Sequence, residues 1–342
     1  MRIEEVWYGH SRAAQLARAA LGPASLLYAG TIAVRRALYD RGILGAGRAP
    51  APVVSVGGLS VGGSGKTPFV LWLALRLARA GQRPCIVTRG YGGSAAAPLL
   101  LQPDVEAAVE RAGDEAVLLS RRSRCTVAVG ADRLRACELA MRELAAAPPT
   151  IFVLDDGFQH RALARDLDIV LLGEGDESAA LLPAGPLREG PAALSRADFI
   201  LRPRSRPALL VRSVADSAGE DAALLAGRRV VAVAAIARPE RFLADLERLG
   251  ANVAARVLRR DHHRFDAADR REIESAARGA ELIVTTEKDL VRLGPQGTEL
   301  DPRLRALRID IDFVGKDAVV ERTLGLLRHP AVGPSGPSHA PI

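Results

Sequence analysis

Over residues 53–172, short runs of apolar, mostly β-branched residues alternate with longer stretches whose apolar positions recur at helical spacing. The runs at 53–56, 85–88, 126–129, 151–154 and 169–172 are expected strands, and 68–80, 114–121 and 133–145 expected helices. Strands that are apolar throughout, rather than alternating, are buried on both faces. That predicts a mostly parallel sheet with helices on both faces. Right-handed crossovers then bring the C-terminal strand ends, and any ligand, to one edge. A Gly/Pro-rich connector at 42–52 precedes this set, and an Arg/Pro- and Ser/Ala/Asp-rich stretch at 202–226 interrupts it. A second, smaller α/β set follows, with strands at 230–235, 253–257, 282–286 and 307–311 and helices at 240–249 and 267–278.

Ahead of the connector, residues 19–34 form a 16-residue run without charge, with Arg12 and Arg18 before it and Arg35, Arg36 and Arg41 after it. A bilayer span takes about 20 apolar residues, and this shorter run contains Gly and Pro. Three placements stand: a short membrane anchor, an interfacial helix, or a core helix. Arg35-Arg36 follows directly, which argues against a cleaved signal peptide. The expected organisation is a membrane-associating helical segment at 1–41, a first α/β domain at 42–205, a second at 226–328, and a Pro/Gly/Ser-rich disordered tail at 329–342.

Composition narrows the class. A chain of 342 residues, 48% hydrophobic and 25% charged, is an ordinary folded protein of about two domains, not a disordered chain, a collagen or a coiled coil. Cys85, Cys125 and Cys137 follow no metal-ligand spacing, which argues against a disulfide framework or zinc site and for a reducing, cytoplasmic setting. Net charge is +7, yet only three of the 47 basic residues are lysine: Lys66, Lys288 and Lys316. Arginine is thus too common to be informative by itself, whereas each lysine stands out. The cation surplus suits a solvated surface or attraction to anionic lipid or phosphate. Aromatics at 4%, not interleaved with basic residues, argue against nucleic-acid binding. No obligate protein partner is evident.

The densest chemical signal is VVSVGGLSVGGSGKT at 53–67, a buried strand running into glycines and then a helix with Pro68 in its first turn. Backbone N–H groups of Gly62, Gly63, Ser64 and Gly65 are suited to turn inward around phosphate, with Lys66 reaching the β/γ-phosphates and the Thr67 hydroxyl holding Mg²⁺. This is the pattern of a P-loop NTPase-type fold. The strict motif G-x-x-x-x-G-K-S/T wants Gly at position 60, where this chain has Ser60. Val61 stands where partition-type ATPases carry a signature lysine, which argues against a nucleotide switch. A second segment, IFVLDDGFQH at 151–160, is an apolar strand ending in two carboxylates, Asp155 and Asp156, suited to Mg²⁺ beside a phosphate loop. Neighbours on a strand face opposite ways, so both reach one metal only if the chain turns there, which Gly157 permits. By themselves these residues specify a Mg²⁺-dependent phosphotransferase or NTPase and no more.

Together the two segments resemble the tetraacyldisaccharide 4′-kinase family, the lipid A 4′-kinases of Gram-negative bacteria. Its pattern joins G-N-x-S/T-V-G-G-S/T-G-K-T to D-D-G-F/L-Q-H. Further matches follow in order: TRGYGG at 88–93, GDE at 113–115, GADR at 130–133, LPAGPLRE at 182–189, DHHRF at 261–265 and TEKD at 286–289. Gly58, Ala116 and Gly190 depart from the family's Asn, Pro and Pro.

The resemblance implies transfer of the γ-phosphate of ATP, with Mg²⁺, to the 4′-hydroxyl of tetraacyldisaccharide 1-phosphate in lipid A and lipopolysaccharide biosynthesis. Such an enzyme acts at the cytoplasmic face of the inner membrane, held peripherally or by a single N-terminal anchor. It implies an Asp114–His262 pair for deprotonating the hydroxyl. By their placement, Lys288 and Asp289 at a second-domain strand end are expected to reach the nucleotide, Arg188 and Glu189 to contact substrate phosphate, Mg²⁺ or a neighbouring charge, and Arg89 and Tyr91, just after a strand, to face the same edge as substrate contacts. Without the resemblance, Asp114 reads as a helix N-terminal acid and His262 as a surface histidine. Their separation predicts one in each domain, with the active site in the cleft between. A kinase of a soluble small molecule and a nucleotide-dependent switch are the alternatives.

Overall fold

The computed structural model describes residues 3–61, 64–103, 109–173, 175–216, 219–293 and 301–328. The tail expected at 329–342 lies outside them. The described residues fall into two compact units, one drawn from 1–87, 137–203 and 313–342, the other from 88–136 and 204–312. Residues 88–136, which a cut by sequence order assigns to the first domain, cluster with the later strands, and the segment from 313 clusters with the first.

The first unit is built on five parallel strands in the order Pro84–Thr88, Ile151–Asp155, Val53–Gly57, Leu167–Leu171 and Phe199–Leu201. Every residue of the first four is buried, as their unbroken apolar character predicts. Val54 at the centre pairs with Val153 on one side and Leu167 on the other. The helix Lys66–Arg79 buries Phe69, Val70, Leu71, Leu73, Ala74 and Leu77. Phe69 also meets Phe313 at 5.0 Å between ring centroids, just before the final helix Lys316–Arg328.

The N-terminal run lies within one helix, Arg12–Asp40, capped by Ser11. One side is tied down: Ser25 donates to the Leu181 carbonyl, Tyr28 to that of Arg188, and Arg161 pairs with Asp40. The other side is open, with Leu16, Leu26, Leu27 and Val34 between 60% and 77% exposed, so the core-helix placement does not hold. Among the described residues no helix is long and apolar enough to cross a membrane.

The second unit has a six-stranded sheet in the order Asn252–Leu258, Arg229–Ala234, Leu282–Thr286, Leu304–Asp312, Arg204–Val211 and Glu220–Asp221. The first four are parallel and the last two antiparallel additions. The stretch expected only to interrupt the pattern thus contributes an eight-residue strand, Arg204–Val211. The helix Asp114–Ser123 packs against the helix Glu287–Leu293, an arrangement fixed by buried charge. Glu287 accepts from Arg122 at 2.7 Å and from Arg308 at 2.8 Å, and all three are largely out of water.

Candidate active site

Each unit carries one cluster of chemically capable residues. In the first unit, the strand Val53–Gly57 feeds the phosphate loop, and the helix after it starts at Lys66 behind a left-handed Gly65 (φ 76°). Gly62 and Gly63 lie outside the described residues. The loop is held tightly by the D-D-G-F-Q-H segment: a Cβ on Gly57 would sit 2.4 Å from that of Phe158, and Gln159 donates to the Gly58 carbonyl at 2.9 Å. Val61 N–H donates to Pro186, and Arg188 N–H to Leu59, so the 182–189 segment braces the loop from the other side.

Ser60 explains its own departure from the strict motif. Its hydroxyl is buried and donates to Asp176 at 3.1 Å, and Asp176 also accepts from Gly173 N–H at 2.7 Å. A buried carboxylate thus fastens the loop where a glycine would leave it free. Sequence reasoning passed over Asp176. Asp176→Ala leaves these donors without their acceptor and is expected to cost about 1–3 kcal/mol, measured by urea unfolding.

Asp155 ends its strand buried, and Asp156 follows in the left-handed region (φ 55°). The turn expected at Gly157 is therefore made by Asp156. Gly157 serves a different need: a Cβ there would lie 2.7 Å from Leu154 and 2.8 Å from Ser55 Oγ. Asp156 pairs with Lys66 Nζ at 3.2 Å and Arg188 at 2.5 Å. Burial alone would raise its carboxyl, but these two cations outweigh that and hold it below the usual carboxylate range. Thr67 is the second residue of the helix Lys66–Arg79. Glu189 is buried and gripped by both oxygens by Arg196, whose guanidinium lies over the Phe158 ring.

The second cluster lies wholly in the other unit. Asp114 and His262 belong to the same unit, not one to each domain as their sequence separation predicts. Asp114 is the first residue of its helix, behind Gly113 (φ 87°), where any side chain would strike the Tyr91 carbonyl. Its Oδ2 lies 3.4 Å from His262 Nδ1. Asp114 is buried, whereas His262 is half exposed and itself left-handed (φ 59°). Burial pushes the Asp114 carboxyl up, but His262 and Arg292 together pull it well below its ordinary value. Hydrogen bonding to Asp114 raises the imidazole against the opposing effect of burial.

The Thr88–Gly93 stretch borders this pair. A Cβ on Gly92 would lie 3.7 Å from His262 Nδ1, and Arg89 stacks 5.4 Å over the ring of Tyr91, which is 45% exposed. Lys288 Nζ donates to Glu115 at 2.6 Å, the residue next to Asp114, and stays charged because Glu115 outweighs burial. Asp289 is placed otherwise. It is fully buried, accepting from Ala235 N–H, Thr286 Oγ1 and Arg292, while its own N–H donates to Thr286 Oγ1 at the start of the helix. Arg292, which sequence reasoning missed, is the residue that touches both Asp114 and His262. Its only sequence signal is the helical spacing of three from Asp289.

Among the described residues, no three His, Cys, Asp or Glu side chains converge as a metal cage. The donor set of the first cluster, a hydroxyl and two carboxylates at a phosphate loop, is instead the kind that holds Mg²⁺ jointly with phosphate oxygens.

Known proteins bear on both clusters. The profile of the LpxK family, tetraacyldisaccharide-1-P 4′-kinase, matches residues 17–328. A tetraacyldisaccharide 4′-kinase of Anaeromyxobacter dehalogenans strain 2CP-C is 40% identical over 360 aligned positions, covering 94% of each chain. That of Aromatoleum aromaticum is 45% identical, covering 84% of this chain and 87% of its own. A crystal structure of LpxK from Aquifex aeolicus, described as an "apo" form in complex with ATP, superposes with a TM-score of 0.77 at 31% identity, covering 91% of this chain and 99% of that one. With the match spanning both the phosphate loop and the Asp114–His262 cluster, this chain belongs to the tetraacyldisaccharide 4′-kinase family.

Proposed function

We propose that the protein transfers the γ-phosphate of ATP to the 4′-hydroxyl of tetraacyldisaccharide 1-phosphate, forming the 4′-phosphorylated lipid A precursor at the cytoplasmic face of the inner membrane. The observation that carries this reading is the family match across residues 17–328, which takes in both chemical clusters. The ATP bound by the Aquifex relative supports the nucleotide.

Phosphoryl transfer is chiefly positioning and charge neutralisation. Lys66 neutralises the β/γ-phosphates, released for this from Asp156. Thr67, Asp155 and Asp156 would hold Mg²⁺, which would supply further neutralising charge when bound. The Asp114–His262 pair takes the proton of the attacking hydroxyl, and Lys288, Arg89 and Tyr91 contact nucleotide or substrate around it. Arg188, already beside Asp156, serves phosphate charge. The test is transfer of labelled γ-phosphate from ATP to tetraacyldisaccharide 1-phosphate in detergent micelles. Label on the lipid 4′-position is the expected result, and ATP turnover without lipid product would overturn the reading.

The substrate lies in a bilayer, and the open face of the Arg12–Asp40 helix suits docking there. Its Leu26 and Leu27 are 76% and 77% exposed, and the exposed Arg12 and Arg41 at the two ends of the helix are placed to meet anionic headgroups. Replacing both leucines by Glu is expected to weaken binding to phosphatidylglycerol vesicles by about tenfold or more, given the apolar area lost. Solution affinity for ATP should be unchanged.

A further inference from the structure

The Asp114–His262 pair has a third member. Arg292 is almost wholly buried, with 4% of its side chain exposed, and its guanidinium is used in every direction. Nε donates to Asp114 Oδ2 at 2.7 Å, and Nη2 contacts the same oxygen. Nη2 also stands 3.1 Å from His262 Nδ1, while Nη1 donates to Asp289 at 2.8 Å and to the Ala235 carbonyl. One planar group thus connects the start of the Asp114 helix, the loop carrying His262, the end of the strand Arg229–Ala234 and the helix Glu287–Leu293.

The chemistry of a proton acceptor sets a conflict that this arrangement resolves. A carboxylate beside an imidazole favours the imidazolium, and a histidine already carrying a proton takes no other. Asp261, 3.8 Å from Nε2, pushes the same way. Asp289 and Glu115 are committed to Arg292 and Lys288, so among the charged groups around the pair Arg292 is the cation at bonding distance from both members. Its charge disfavours a proton on His262 while keeping Asp114 an anion able to orient the ring.

We propose that Arg292 is a positioning residue for phosphoryl transfer: it keeps Asp114 an anion that orients the ring, and its charge beside Nδ1 opposes protonation of His262 before the substrate proton arrives. This rests on the kinase reading above. Arg292 touches neither nucleotide nor acceptor in this role and acts only through the pair.

The pH dependence of lipid phosphorylation, measured for the full chain as wild type, Arg292→Gln and Arg292→Lys, tests it. For Arg292→Gln, kcat should fall about 10- to 100-fold, within the span of a misset acid–base group, with KM for ATP nearly unchanged. Its acid limb should move to higher pH, because His262 then keeps its proton longer. Arg292→Lys restores the charge without the fork, and should return the limb towards wild type while recovering only part of kcat. Thermal melting and ATP binding establish that each variant is folded; if Arg292→Gln is not, the limb and rate of Arg292→Lys decide. An acid limb that stays at the wild-type pH in a folded Gln variant would overturn the proposal, as would equal kcat in wild type and both variants. Absence of lipid product with wild type would instead count against the kinase reading itself.

Discussion

Lys66→Ala is expected to lower lipid phosphorylation by about a thousandfold, the scale of losing a preorganised charge aimed at the reacting group. The side chain is 11% exposed, pairs with Asp156 at 3.2 Å, and springs from the first residue of a helix whose N-terminus faces the loop. Once a nucleotide is bound, that charge offsets the negative charge building on the bridging and terminal phosphate oxygens. Thr67 cannot replace it because it carries no charge, and Arg188, at the other oxygen of Asp156, does not spring from the helix N-terminus behind the loop. Asp156 stays partnered by Arg188 in the variant, so the fold should survive with its melting point close to wild type. Lys66→Arg should recover little, since a planar guanidinium does not fit where a compact ammonium sits between Asp156 and the Ser60 carbonyl. Steady-state transfer of labelled phosphate decides the matter. A folded Lys66→Ala protein retaining a tenth or more of the wild-type rate, against the roughly thousandfold loss expected, would remove the loop from the chemistry.

Much of the scaffold was legible because its strands are buried on both faces. The run expected at 282–286 is the strand Leu282–Thr286 to the residue, and that at 53–56 gains only Gly57. Arg204–Val211 was not legible, because Pro207 removes a ladder donor and reads as a strand breaker. The structure accommodates it at a bulge: Ile309 pairs with Pro207 and Arg308 with Leu209, leaving Ala208 as the extra residue. The pairing of Asp114 with His262 within one unit was illegible for a different reason. The chain passes from one unit to the other four times, and sequence order does not disclose such crossings. Ser60 looked like a defect in the phosphate motif because its partner, Asp176, lies 116 residues away. Arg292 was hidden by its own abundance: among so many arginines, only burial and bonding distinguish the one that touches both members of the pair.

Asp114→Asn is the variant that separates orienting from charge at the second cluster, and its activity is expected to fall about 100- to 1,000-fold, the range of a positioned base. Asparagine keeps the shape of the side chain and can still accept from Arg292, whose other anchor, Asp289, is untouched. The protein should therefore fold, with some loss of stability from the weakened buried ion pair. What changes is the charge beside His262. In the wild type, hydrogen bonding to Asp114 raises the imidazole above its ordinary value, so the rate falls as pH drops through that raised value. Without the carboxylate, and with Arg292 still present, the imidazole is no longer held up. The acid limb of the residual activity should move to lower pH, the opposite direction to that expected for Arg292→Gln. His262→Ala should lose nearly as much as Asp114→Asn, and the double variant little more than either, because the two side chains act as one unit. A folded Asp114→Asn protein losing less than about fivefold, far short of a base's contribution, would leave the proton to another acceptor. An unshifted limb at low activity would mean that Asp114 supports the fold around His262 and not its protonation.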